Sequence, residues 1–137
     1  MQFTEDELDA LLNKPKPLNL AGADLSKADL SRADLRGAYL NAAKLRYAEL
    51  SKANLSDTDL SGANLHGAIL LDADLSDANL RGADLSGAKL NNARLHYADL
   101  LGANLSGVDL NGAAYNKRTI WPAGFDLEAT GATLEEE

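Results

Sequence analysis

At 137 residues the chain has room for one domain, or for one repeat array with two short ends. It has no cysteine, which excludes a disulfide framework, a thiolate zinc site and a cysteine nucleophile. The formal net charge is -8, yet the acids crowd at the two ends and the interior mixes both signs, so no coherent basic stripe exists to hold a phosphate backbone.

The chain opens Met1-Gln2-Phe3-Thr4-Glu5, with acids where a signal peptide carries Lys or Arg and no long apolar run behind them. A cytoplasmic protein without a membrane segment is the expectation. Thr4 suits a helix N-cap, Glu7 completes a capping box, and Phe3 with Leu8 makes a hydrophobic staple. Glu5, Asp6 and Glu7 match the positive end of the helix dipole, and Lys14 its negative end. Pro15 and Pro17 stop the run. These signals predict a short helix from about residue 5 to residue 13, laying Leu8, Leu11 and Leu12 across whatever follows.

From Leu20 to Leu110 every fifth residue is leucine, nineteen positions of nineteen, and alanine stands two residues before the next leucine in all but two units, where Thr58 and Val108 replace it. The unit reads A-D/N-L-x-x, as in Ala83-Asp84-Leu85-Ser86-Gly87. On a helix, residues five apart lie about 140° apart, so no apolar stripe forms. On a flat strand alternate leucines point to opposite faces. A short extended piece followed by a bend satisfies the pattern, because Ala and Leu two apart then face the same way. Bends of about a right angle would close four units into one coil.

Behind the array, Ala113-Ala114-Tyr115 puts tyrosine in the leucine place. The segment Ile120-Trp121-Pro122-Ala123-Gly124-Phe125-Asp126-Leu127 holds four large apolar residues and is predicted to fold over the last coil. Ala132-Thr133-Leu134 looks like a stray unit out of frame. A solenoid must cover both ends, and two covered ends argue for a monomer.

The A-D/N-L-x-x units resemble the pentapeptide repeat family over about two thirds of the chain, and the wording around Tyr115-Asn116, Trp121-Pro122 and Gly124-Phe125-Asp126 is similar to closing segments of cyanobacterial members. The resemblance implies an all-β fold, a right-handed quadrilateral parallel β-helix (solenoid) with a short N-terminal α-helical cap. Leucine and alanine would then face inward and the other three positions solvent. The implied division is an N-terminal helical cap over residues 1–17, a β-helix over 18–115, and a C-terminal cap and tail over 116–137.

The outward residues offer little chemistry. His66 and His96 would fall on opposite sides of the rod, so they cannot share a metal, and each is expected to be a solvated surface histidine. The eight serines all follow a core leucine and suit the bends; none shows a base and orienting acid in sequence, so no catalytic residue is assigned. Gly22, Gly62, Gly82 and Gly102, with Ala42, form one corner column of turn residues, without the strand-to-helix setting of a phosphate loop. Neither a metal nor a cofactor is expected. Asp or Asn before each leucine has a structural use in satisfying nearby backbone.

The suggestive feature is apolar. Ile69 and Leu71 stand in outward positions where neighbouring coils carry Glu49, Lys89, Ser51 and Asn91, and Tyr47 sits at the preceding corner one coil earlier. Tyr47, Ile69 and Leu71 are therefore the candidate protein-contact residues; Tyr39 and Leu101 are further outward apolar residues. The expected function is a non-enzymatic protein–protein interaction scaffold with a protein partner, no direct nucleic acid binding and no membrane. The resemblance also implies an alternative, a DNA mimic that binds DNA gyrase as inhibitor or protector, against which Lys44, Arg46, Arg81, Lys89 and Arg94 interrupt the acidic columns.

Overall fold

The computed structural model describes residues 3–136. Its architecture grows from one local rule. Behind each core leucine the backbone turns and closes a hydrogen bond, as from Ala63 N–H to Leu60 C=O at 3.0 Å. The third residue of every such turn, from residue 22 to residue 112, has positive φ, between 58° and 80°. Positive φ at that place alone defines a type II turn. Glycine fills nine of the nineteen corners, but the rest hold residues such as Lys52, Asp57 and Tyr97. A side chain in this region costs roughly 1–2 kcal/mol. Closure of the coil outweighs that local preference, so the corner is set by its place in the repeat and not by glycine.

Between corners each side is extended just long enough for one residue to bridge its neighbours. Asn64 pairs in parallel with Lys44 and with Asp84, and throughout the array the bridges join residues twenty apart. The bonds are short: Leu65 N–H to Asp84 C=O is 2.7 Å, and Asp84 N–H to Ala63 C=O is 2.9 Å. Four bridged sides per coil make a four-cornered parallel ladder, with leucine on leucine and alanine on alanine. Every fifth residue from Leu25 to Leu100 is at most 1% exposed, and each buried leucine contributes roughly 1.5–3 kcal/mol. Thr58 takes an alanine place and is buried; its hydroxyl donates to Leu55 C=O at 2.7 Å, which satisfies the one polar group in that column.

The N-terminal end is closed by helix α1 (Glu5–Leu12). Thr4 and Glu7 exchange both bonds of the capping box, Leu8 is buried in the core, and Leu11 and Leu12, like Ala23, Ala28 and Ala33 of the first coil, are partly buried against it. The last turn contains no basic residue: Lys16, and not Lys14, serves the negative end, its Nζ donating to Leu12 C=O at 3.0 Å. From between the two prolines the side chain of Lys16 reaches back four residues.

At the C-terminal end the register slips. Asp99 pairs with Ile120, twenty-one residues on, whereas strand β1 (Ala114–Tyr115) pairs with strand β2 (Thr133–Leu134) nineteen residues on. The segment that looked like a stray unit thus stacks on the coil below it. One residue gained near Asn116 and two lost before Gly131 explain why its frame is hidden in the sequence. Between these pairings the chain leaves the ladder. Trp121 meets Tyr115 edge-on at 5.4 Å and stacks on Phe125 at 5.7 Å, and all three pack on the core end.

Candidate protein-contact site

The outward polar positions first do structural work. Every Asp or Asn that precedes a core leucine accepts the N–H two residues on, as Asp59 does from Ser61 at 3.0 Å and Asn79 from Arg81 at 3.1 Å. Glu49 does the same for Ser51 at 2.9 Å. These bonds hold the carboxylates ionised: the Ser26 N–H beside Asp24, the Ser31 hydroxyl beside Asp29, the Ser86 hydroxyl beside Asp84 and the Asn111 N–H beside Asp109 all hold the carboxyl below the usual 3.8. Asp34, paired with Arg36 at 2.9 Å, is lowered to about 2, chiefly by that guanidinium.

Against this background Tyr39, Lys44, Ile69, Lys89 and Arg94 are the array positions before a leucine that cannot serve the corner. Ile69 is the aliphatic one. It bridges Glu49 and Lys89 and is half-buried, as is Leu71 across the core Leu70. Tyr47 is 49% exposed. Its ring lies over Gly67, where an added Cβ would come within 2.5 Å of it, so the bare glycine is the seat of the tyrosine. The edge of the ring meets His66 at 5.4 Å, and the Arg46 guanidinium stands 5.6 Å from its centroid. The structure therefore seats Tyr47 against His66 at the corner leading to the Ile69 side, with Ile69 and Leu71 on the neighbouring face.

Both histidines differ from a plain solvated reading. His96 is buried, 3% exposed, because the tail returns over it and Glu135 Oε1 lies 2.7 Å from Nε2; its Nδ1 has no partner among the described residues. His66 is half-buried, with Nδ1 2.8 Å from Ser86 Oγ, while Ser86 Oγ is 2.6 Å from Asp84 Oδ1. Ser86 thus has both an acid and a base beside it. The order is wrong for a nucleophile: the single hydroxyl proton goes to the carboxylate, so a neutral His66 donates from Nδ1 and keeps Nε2 as its acceptor. This chain escapes a linear reading, although the twenty-residue step from His66 to Ser86 encodes it. Among the described residues no three His, Cys, Asp or Glu gather to hold a metal, and no helix is long and apolar enough to cross a membrane.

A filled, four-cornered parallel coil with a five-residue unit and its polar positions outward defines a solenoid of the β-helix class. The pentapeptide repeat signature matches eight copies within residues 19–57, 33–70, 58–96 and 73–112. The chain belongs to the pentapeptide repeat family. It is similar to Rfr23 of the cyanobacterium Cyanothece 51142, with 39% identity, a TM-score of 0.65, and 80% of this chain covering 67% of that one. It is also similar to alr5209 of Nostoc PCC 7120, at 35% identity over 98% of each chain and a TM-score of 0.45. A trypsin-treated form of QnrB1, a plasmid-mediated fluoroquinolone resistance protein, shares the fold at 18% identity and a TM-score of 0.51, covering 85% of this chain and 81% of that one. No curated protein matches the sequence.

Proposed function

We propose that the protein is a non-enzymatic, monomeric scaffold of the cytoplasm that binds another protein through one side of a rigid, right-handed rod, without direct contact to nucleic acid or membrane. The observation that carries this reading is the outward apolar group Tyr47, Ile69 and Leu71, with Tyr47 held in place by Gly67 and His66; Tyr39, Tyr97 and Leu101 are exposed in other columns. The ladder bonds are already satisfied beneath it, so the patch is dispensable to the coil. The 39% identity with the cyanobacterial pentapeptide repeat protein Rfr23 supports the winding.

The test compares the wild-type rod with the double variant Ile69→Asp, Leu71→Asp as immobilised bait in extract of the source cell. Both should fold, and one partner should be retained by the wild type and lost by the variant. Equal retention by the two would place the contact elsewhere. The gyrase-directed alternative is weakened by Lys44, Arg46, Arg81, Lys89 and Arg94, which break the acidic columns. It predicts inhibition or protection in a supercoiling assay, whereas the scaffold reading predicts none.

A further inference from the structure

Past the first coil, whose outer edge lies under α1, the ladder among the described residues is broken on two adjoining sides of the last coil. Equivalent residues one coil earlier are fully paired: Leu85 N–H donates to Asn104 C=O and Leu90 N–H to Asp109 C=O, both at 2.8 Å, and Gly87 N–H donates to Ser106 C=O, also at 2.8 Å. In the last coil the N–H groups of Gly102, Leu105, Gly107 and Leu110 find no acceptor among the described residues, and the C=O groups of Ala103 and Val108 find no donor. The chain that should have covered them swings out at Trp121. A turn closed by Phe125 N–H to Pro122 C=O leaves an open groove between residues 103–106 and residues 122–125. Ala103 and Leu105, at 8% and 7%, are more exposed than the core residues at the equivalent positions one coil earlier, each at most 1%.

We propose that this edge accepts an extended, cationic segment of a partner protein as an added parallel strand. Unpaired ladder groups beside an apolar groove recognise extended backbone, and the sign of charge selects what carries it. Asp109 is exposed on the edge, and the exposed Asp126 and Glu128 lie on the crossing that runs from the groove to Gly131, whose C=O accepts Gly112 N–H. Lys117 and Arg118 stand at another corner, with Tyr97. A second copy of the chain fits badly. Its opposite end is covered by α1 and carries Asp24, Asp29 and Asp34 in the pairing positions, which would bring acid onto acid.

The probe is the end-blocked heptapeptide Lys-Val-Lys-Val-Lys-Val-Lys, titrated into the 15N-labelled protein. The expected result is a downfield shift and slowed exchange of the Leu105 and Leu110 amides. The same peptide with proline for valine, equal in charge but unable to donate from those residues, should bind about tenfold more weakly. The triple variant Asp109→Asn, Asp126→Asn, Glu128→Gln preserves the local turn acceptor at 109 and should weaken the valine peptide roughly threefold or more. Equal binding of the proline peptide, unchanged binding by the triple variant, or shifts confined to residues outside 102–110 would each overturn the proposal.

Discussion

At the residue scale, the carboxamide and carboxylate positions explain more of the surface than any functional role does. Ile69→Asn shows the balance: the new side chain can accept Leu71 N–H as Asn79 accepts Arg81 N–H. A hydrogen bond is worth about 0.5–1.5 kcal/mol net, which offsets the lost apolar contact of a half-buried isoleucine. Chemical denaturation should therefore find Ile69→Asn within about 1 kcal/mol of wild type; a larger loss would show that Ile69 is part of the core. The depressed aspartates set an acid limit. Asp24, Asp29, Asp34, Asp84 and Asp109 have folded values below the ordinary 3.8, so their contribution is present above it and is lost as pH falls toward about 2, the value for Asp34. Thermal melts should be flat from neutral pH to about 4 and fall between about 4 and 2. Replacing Asp24, Asp29 and Asp84 by Asn, which occupies the same position at Asn54 and Asn64, should flatten that slope; an unchanged slope would put the acid sensitivity elsewhere.

At the element scale, α1 closes one open end of the core and depends on its cap. Thr4→Ala removes the bond from Glu7 N–H to Thr4 Oγ1 (3.1 Å) and should cost about 0.5–2 kcal/mol in denaturant unfolding. If α1 is held by Leu8 alone, the loss will be negligible. This element was legible in the sequence because its signals are local: Thr4, Glu7 and the prolines name the boundaries within one residue of Glu5–Leu12. The C-terminal closure was only partly so. Its apolar residues announced a cover, yet the pairing of Ala114–Tyr115 with Thr133–Leu134 depends on a register offset that no periodicity shows. The burial of His96 follows from that return of the tail, which the columns of the repeat do not encode.

At the scale of the whole molecule, sequence carried the architecture because one rule repeats. Leucine every fifth residue and alanine two before it fix what faces the axis, and the twenty-residue bridge then places each outward residue over another. What the pattern could not show were contacts that depend on side-chain reach along a column: Tyr47 across Gly67, and His66 to Ser86 to Asp84. The columns single out Tyr47, Ile69 and Leu71, whereas the seat of Tyr47 depends on its reach across Gly67. A stack of this kind behaves as a nearest-neighbour chain. Leu70 is fully buried mid-rod, so Leu70→Ala should cost about 2–5 kcal/mol and Leu70→Asp should abolish the cooperative melt; an ordinary melt for Leu70→Asp would refute its inward position.

The most direct test is through-space NMR on the amide protons of the central coils. The coil predicts contacts between residues twenty apart, such as Asn64 with Asp84 and Ile69 with Lys89, repeated on all four sides. Absence of these twenty-residue contacts, with continuous helical contacts between successive amides, or cross-chain pairing of the central coils at another spacing, would contradict it.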